Sequence, residues 1–551
     1  MTYASSDAVA NENEFRVLGP PGTGKTTELS TRVEARVKKH GSESVLVMSL
    51  TRAAAAEVVK RDLPIDREQI GTLHAHAFRS LDAPKLAADR KHFEEWNSYV
   101  EGRGEGELRL SMGVVRDDFG GAEDDATLGD ELFAEMDSVR AQGVPVIEWR
   151  EPVQELHEMW SDWKAMHYLL DFTDLIEICL RDVERAPGNP QFIFLDEAQD
   201  FSRIELRLAR KWALNADELV IAGDPDQSIF GWRGADARNF LTPEIPEDHY
   251  VELGQSMRVP KAPHRLAVEW IRQIKNRRDV KYLPTPMPGA VERVSETFLR
   301  PEAIFKVLEE HLAAGKEIML LATASYMLKP LLGFFRREGI PFHNPYVEKR
   351  GDWNPLRTRR GAKNIAERIK AFLYGGWLED PEELRAWLDL LKLDHFRAHR
   401  SVSKEFLREL RGPIDTTTLQ SIFRDDALSR ALQTDLAWLK EGLLSQYASG
   451  SSANSFDYVC RIAERFGDRG LEKKPQIIVG TVHSVKGGEA DVVAVFPDIS
   501  AAADRELHEG EDGRDATIRL MYVAFTRAKE TLLLFDPATA RAIDFPKESV
   551  A

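Results

Sequence analysis

Short, uninterrupted apolar runs recur along this chain, and most of them give way to small, polar or acidic residues. The early ones are FRVL (15–18) before GPPGTGKTT, VLVMS (45–49) before LTR, FIFL (192–195) before DEAQD and LVIA (219–222) before GDPDQ. Later come IMLLA (318–322), IIVGT (477–481) before VHSVKG, VVAVF (492–496) and LLLF (532–535). Four or five apolar residues without alternation are expected to be buried on both faces, as in parallel strands covered by helices. Stretches of helical period separate them. Ligands bind at the carboxyl ends of strands in open parallel sheets, and the polar residues stand at those ends. The pattern predicts an α/β protein with two lobes, one early and one late.

Two regions lack this punctuation. Residues 81–184 read as mainly helical, with an acidic, glycine-containing loop at 101–130. Residues 351–465 read the same way, through segments such as PEELRAWLDLLKL and DDALSRALQTDLAWLKEGLL. Each is expected to be a helical insertion in one lobe. The expected division is 1–80 and 185–257 for the first lobe around 81–184, then 258–350 and 466–551 for the second around 351–465. SQYASGSSANS (445–455) reads as a surface loop, and no internal repeat of 20–50 residues is present.

Composition narrows the class. At 551 residues, the chain has room for about three or four structural units. No apolar run reaches the ~18 residues of a membrane span, and the first 15 residues lack the basic and apolar segments of a secretory signal. Two cysteines, Cys179 and Cys460, cannot build a disulfide framework, a Cys-rich zinc site or an iron–sulfur cluster, and they suit a reducing cytoplasm. No His/Cys/Asp spacing reads as a dedicated metal site. The net charge of −17 argues against a surface coated for phosphate binding but leaves a local basic groove open. Acids outnumber bases thirteen to five between residues 101 and 150, whereas bases outnumber acids eight to three between 348 and 370.

The chemistry starts at Gly19-Pro20-Pro21-Gly22-Thr23-Gly24-Lys25-Thr26, which matches GxxxxGK[ST] between a strand-like and a helix-like segment. Glycines let backbone N–H groups curl around phosphates; Lys25 reaches the β/γ oxygens and the Thr26 hydroxyl takes Mg²⁺. Thr27 continues the same segment. A phosphate loop needs a carboxylate near the metal, and Asp196 ends the FIFL run with Glu197 beside it. Asp196 is expected to hold Mg²⁺ and Glu197 to orient and deprotonate the attacking water. Together these features imply hydrolysis of a nucleoside triphosphate, with ATP and Mg²⁺ as the expected cofactors.

An ordered series then gives the purpose: SLTRAAAAEV (49–58), GTLHAHAFR (71–79), DFTDL (171–175), LDEAQD (195–200) and GDPDQSIFGWRGA (223–235), followed by LGQSMR (253–258), GTVHSVKGGEADVV (480–493) and MYVAFTRAKETLLL (521–534). In order and spacing this series resembles the superfamily 1 DNA helicases of the UvrD/Rep type, over about residues 15–535. The resemblance implies two RecA-like P-loop NTPase lobes with parallel sheets, each carrying a mainly helical insertion. It implies an ATP-dependent helicase or translocase moving 3′ to 5′ on single-stranded or tailed duplex DNA, with repair or replication proteins as candidate partners and no membrane. A nucleotide-gated nucleic-acid or protein binding ATPase without unwinding activity is the alternative.

The resemblance also implies roles. Gln227 looks like the γ-phosphate and water sensor, Arg258 and Arg527 like the two arginines that meet the γ-phosphate, and Glu489 like the acceptor of a ribose hydroxyl. On the DNA side, Phe230 and Trp232 resemble a stacking pair with Arg233 alongside; a small hydrophobic cluster is the alternative for the two rings. In a strand-like segment these rings, two residues apart, would share a face. Thr51, Arg52, Thr72, His74, Thr481 and His483 lie in segments that family members lay along the DNA backbone, while His74 and His483 could equally be structural hydrogen-bonding histidines. The chain also departs from the family. Residues 1–14 contain no glutamine to read adenine, Met257 stands where an aromatic residue stacks on the base, and Leu50 replaces a common DNA-facing phenylalanine.

Overall fold

The structure is a computed structural model that describes residues 12–50, 65–111, 127–347, 350–356, 365–374, 376, 381–409, 414–442, 451–467 and 469–546. The first sheet has six strands: β1 (Glu14–Leu18), β2 (Val45–Ser49), β3 (Ile70–Thr72), β4 (Phe192–Asp196), β5 (Glu218–Gly223) and β6 (Tyr250–Glu252). They are all parallel, in the order β3-β2-β4-β5-β1-β6. Strands β2, β4 and β5 bury every residue, as an apolar run covered on both faces must. Val17, Val47, Phe194 and Val220 pack with Leu29 and Val33 of the helix Lys25–His40 to form the core on one face.

Register, more than order, places the site. Leu18 pairs with Gly223, Leu195 with Ile221 and Ser49 with Asp196. The central strands therefore end together, and the segments after β1, β4 and β5 leave the sheet along one edge. The second sheet comprises β7 (Ala290–Val294), β8 (Ile318–Ala322), β9 (Phe342–His343), β10 (Ile477–Thr481), β11 (Ala490–Val495) and β12 (Ala528–Phe535), in the order β7-β12-β11-β8-β10-β9. The architecture is α/β with two sheets of parallel strands and many helices, which agrees with two RecA-like lobes carrying helical insertions.

All eight apolar runs are strands. The four further strands, β3, β6, β7 and β9, are the outer strands of the two sheets. An edge strand needs burial on fewer sides and can be short and polar, as in YVE of β6 and AVERV of β7.

The chain divides into two compact units. One comprises Met1–Ser295, Leu321–Tyr326 and Thr481–Ala551, and the other Glu296–Leu320 and Met327–Gly480. The expected lobe boundary at residue 258 does not coincide with this division. Residues 258–295 and the C-terminal segment belong to the same unit as the first sheet. Contacts within that unit explain the grouping: the Trp270 indole donates to the Ile518 carbonyl at 3.0 Å, and Arg277 grips the Asp226 carboxylate through both Nε and Nη2. In the second unit, the region 351–465 is helical where described, from Ile365–Leu373 through Ser451–Phe466. Phe372 lies between Trp387 and Trp438 in its interior, at ring separations of 5.9 and 6.1 Å. Among the described residues, no helix is long and apolar enough to cross a membrane.

The first insertion comprises the helices Arg90–Gly102, Leu128–Ala141, Glu151–His167 and Phe172–Asp182, around fully buried Trp96, Trp160 and Trp163. Trp160 stacks on Trp163 at 5.0 Å and meets Trp96 and Phe133 edge-on at 5.1 Å each. The DFTDL segment anchors this core. The Asp171 side chain caps the helix Phe172–Asp182 by accepting from the Asp174 N–H. Its other oxygen accepts from Trp160 Nε1 at 2.9 Å, Arg140 Nη1 at 2.8 Å and Lys164 Nζ at 2.5 Å. The opposing cations hold the Asp171 carboxyl well below the usual range against the penalty of burial. Removing one member leaves the others buried and under-paired, so Asp171→Ala is expected to cost about 3–5 kcal/mol. The check is a lower urea midpoint at unchanged slope; an unchanged midpoint would show that the ion cluster holds nothing together.

Candidate nucleotide site and nucleic-acid interface

The chain turns from β1 into the helix Lys25–His40 through Gly19–Gly24. Gly22 and Gly24 take positive φ of 76° and 87°, which L side chains rarely adopt. Gly22 is constrained twice, because a Cβ there would lie 2.6 Å from Arg258 Cβ and 2.8 Å from Ser256 Oγ. Lys25 Nζ donates back to the Gly19 carbonyl at 2.7 Å, and Thr23 Oγ1 donates to the Pro20 carbonyl at 2.8 Å. The outer side of the loop is held by the Tyr282 hydroxyl and Ser256 Oγ, both donating to the Pro21 carbonyl at 3.0 Å. Thr26 and Thr27 open the helix.

Asp196 stands at the end of β4, hydrogen-bonded to the Thr26 side chain. Burial, then the neighbouring Glu197 charge, pushes its carboxyl up to about 6, against Thr26 and Lys25. A hydroxyl beside a carboxylate is a hard oxygen donor set. It fits Mg²⁺, which binds proteins through one or two such groups and takes its remaining ligands from water and phosphate. Glu197 occupies the left-handed region at φ 54°, a strain that persists only where its surroundings hold it. Burial would raise the Glu197 carboxyl, but Lys25, Lys486, Gln199 and Arg527 outweigh it and keep the group low. The two adjacent acids are thereby split: one ionised, one held closer to neutrality.

Beyond β5, Gln227 Nε2 donates to Asp224 Oδ2 at 2.7 Å, and Gln227 Oε1 accepts from Arg527 Nη2 at 2.9 Å. Arg527 is itself buried and fixed, donating from Nε to the Val523 carbonyl at 2.9 Å and from Nη1 to the Gly488 carbonyl at 3.2 Å. Arg258 Nε donates to the Glu489 carboxylate at 2.6 Å, so these two candidates engage one another. Lys25, Thr26, Asp196, Glu197, Gln227 and Arg527 are linked by contacts or shared charge at one strand edge, with Arg258 against the phosphate loop.

Two participants were not singled out by residue type. Gln199, fully buried, donates from Nε2 to Glu197 Oε2 at 2.6 Å and accepts from the Asp224 N–H at 3.0 Å. Its signal is its place in DEAQD, three residues past the strand-ending aspartate. Lys486 of HSVKG donates to Asp200 Oδ2 and to the Gln227 carbonyl, and its ammonium lies 5.4 Å from the centre of the Phe230 ring.

On the nucleic-acid side, Thr51 and Arg52 lie outside the described residues. Thr72 caps the helix Leu73–Ser80 by accepting from the Ala75 N–H at 3.1 Å. His74 faces the Glu205 carboxylate at 3.4 Å and meets Phe172, half-exposed, edge-on at 5.9 Å. Gly231–Arg233 is a 3₁₀ turn and not a strand, closed by Gly234 at φ 80°, so Phe230 and Trp232 do not share a face. The Phe230 ring is 2% exposed and sits 5.7 Å from the His483 ring, whereas Trp232 is 44% exposed with the Arg233 guanidinium 5.9 Å from its centre. The expected pair of stacking faces is thus one exposed indole, with Phe230 packed beneath the turn. His483 Nε2 pairs with the Ile229 carbonyl at 3.1 Å, and burial pushes the ring down to about 4, so it is neutral and structural in this geometry. Thr481 is buried and accepts from the Ser484 N–H at 3.3 Å.

The family profile described as UvrD/REP helicase N-terminal domain matches residues 1–245, and that described as UvrD-like helicase C-terminal domain matches 476–535. The chain belongs to the UvrD/Rep helicase family. Its relatives include the ATP-dependent DNA helicase PcrA of Staphylococcus epidermidis, 24% identical over 634 aligned positions that cover 98% of this chain and 83% of the relative. PcrA of Staphylococcus aureus strain Mu50 is likewise 24% identical, with 98% and 84% covered, and that of strain MRSA252 is 28% identical over 62% of this chain and 50% of the relative. The N-terminal match contains the phosphate loop, Asp196, Glu197, Gln227 and Trp232; the C-terminal match contains Lys486, Glu489 and Arg527. Arg258 lies between the two matches.

Because Gln199 fixes Glu197 against the Asp224 backbone, Gln199→Ala is expected to lower the turnover number about 10²-fold, the scale of a misplacement of about 1 Å. Steady-state hydrolysis checks this, and turnover at the wild-type rate would remove Gln199 from the machinery.

Proposed function

We propose that this UvrD/Rep-family chain is an ATP-dependent DNA helicase that moves 3′ to 5′ along single-stranded DNA. The observation that carries the reading is the contact of Arg527 with Gln227, made beside a phosphate loop whose Lys25, Thr26 and Asp196 are already assembled. In this mechanism Gly19–Thr27 cradle the phosphates of ATP. Thr26 and Asp196 would hold Mg²⁺, which would supply positive charge against the phosphates. Glu197 accepts a proton from the attacking water, Gln227 orients that water, and Arg527 and Arg258 stabilise charge on the transferred phosphoryl group. Glu489, released from Arg258, accepts from the ribose.

The indole of Trp232 and the Arg233 guanidinium offer a base-stacking face and a cation that do not depend on sequence. Lys486 touches both the Gln227 carbonyl and the packing beneath that turn, so a change at the γ-phosphate reaches the nucleic-acid face through one side chain. Thr51, Arg52, Thr72 and His74 are proposed to line the strand's path, with buried Thr481 and partly buried His483 supporting it from within. The work is cytoplasmic, and the proposed helical insertions are 81–184 and 351–465. Net charge of −17 is compatible with this reading, since a motor that steps must grip weakly and needs only a lined groove.

Lys25→Ala or Glu197→Gln is expected to abolish strand displacement on a forked duplex and ATP turnover while leaving single-strand binding intact. An arginine finger contributes about 10³ to 10⁵ in rate, and Arg527→Ala is expected to lose about that factor. Robust turnover in the Lys25 and Glu197 variants would sink the assignment. Single-strand affinity is expected to fall steeply with salt, with a slope of about −0.7 per phosphate contacted; a flat salt titration would count against a nucleic-acid groove.

A further inference from the structure

Tyr282 follows the first sheet in a segment without regular structure, yet its hydroxyl donates to the Pro21 carbonyl of the phosphate loop at 3.0 Å. Ser256 Oγ donates to the same oxygen at 3.0 Å, so the carbonyl of a buried proline accepts twice from outside the loop. The Pro21–Gly22 peptide is trans. Across a planar trans peptide the carbonyl and the following N–H point in opposite directions. Holding the carbonyl toward Tyr282 therefore turns the Gly22 N–H to the other side. Resting on the nucleotide site proposed above, we propose that Tyr282 is a positioning residue for nucleotide binding. It acts through the Pro21 carbonyl and holds the Gly22 N–H toward the phosphates before the nucleotide arrives.

A glycine-rich loop loses much conformational freedom when it closes on a ligand, and a loop already held in its bound shape avoids that cost. Gly22 is held from the same side at its second peptide too, since its carbonyl accepts from the Met257 N–H at 2.9 Å. The Tyr282 hydroxyl is itself fixed in place. Its ring lies 4.5 Å from that of His264, whose Nε2 pairs with the Tyr282 carbonyl at 3.2 Å. The next residue is paired in both directions: the Leu283 N–H donates to the Gly254 carbonyl at 2.8 Å, and the Leu283 carbonyl accepts from the Ser256 N–H at 2.9 Å. Five residues before Tyr282, Arg277 grips Asp226, the neighbour of Gln227, with Nη2 2.7 Å from Oδ2. One short segment thus braces the phosphate loop at Pro21 and the turn that carries Gln227 at Asp226.

The test compares Tyr282→Phe with the wild-type chain in steady-state ATP hydrolysis on saturating single-stranded DNA. Phenylalanine keeps the ring beside His264 and removes only the hydroxyl, while Ser256 still holds the carbonyl. KM for ATP is expected to rise about 3- to 10-fold, the scale of one net hydrogen bond. The turnover number is expected to stay within about twofold, the split that marks lost binding and not lost chemistry. An unchanged KM, or a fall in kcat at unchanged KM, overturns the role. Single-strand affinity without nucleotide is expected to be equal in the two proteins; weaker binding by the variant would reveal a general loosening of the unit and also overturns it. Lys25→Ala separates the two levels of inference. If it abolishes turnover while Tyr282→Phe behaves as wild type, the nucleotide site stands and Tyr282 only packs. Turnover retained in Lys25→Ala overturns the nucleotide site and the role of Tyr282 with it.

Discussion

A single buried chain of hydrogen bonds ties the site together. Arg527 donates to Gln227, Gln227 to Asp224, the Asp224 N–H to Gln199, and Gln199 to Glu197. Each link lies where water is scarce, and an unpaired polar group there costs far more than the same group at the surface. The chain therefore holds all its members or loses them together. It starts at the segment leaving β4, crosses to the segment leaving β5, and ends on an arginine anchored at the head of β12. Parallel register makes this possible, because β4 and β5 end side by side.

The same constraint explains two features that would otherwise be liabilities. Gly223 must lack a side chain, since a Cβ there would lie 2.5 Å from Gln199 Oε1. Glu197 sits in the left-handed region, and the bonds from Gln199 and from its own N–H to Asp196 Oδ1 over-determine that conformation. Lys486 extends the network by one step, to the Gln227 carbonyl and to the ring of Phe230. The nucleotide end and the Trp232 turn are thus connected through charge and packing within one compact unit.

The sheets and the phosphate chemistry were legible because each depends on local pattern. Buried strands need continuous apolar runs, and a phosphate loop needs glycine, lysine and threonine at fixed spacing. The outer strands escaped because an edge is excused from that burial. The aromatic pair was misplaced geometrically for a related reason. Gly231 and Gly234 allow a turn that alternation in SIFGWRGA does not reveal, and this turn buries Phe230 while exposing Trp232. Gln199 and Lys486 were hidden in plain view, since their roles rest on partners more than twenty residues away in Asp224 and hundreds away in Asp200. The grouping of 258–295 with the first sheet likewise depends on distant contacts, Arg277 with Asp226 and Trp270 with Ile518, that no window of sequence contains.

In the proposed mechanism, nucleotide hydrolysis and the nucleic-acid face are one machine. Its most direct test is the steady-state rate of ATP hydrolysis measured with and without single-stranded DNA, repeated on Lys486→Ala. Strong stimulation by the single strand is expected in the wild-type chain, and in the variant the ratio of stimulated to unstimulated rate is expected to fall towards one, whatever the change in the unstimulated rate itself. Equal rates with and without DNA in the wild-type chain would contradict it.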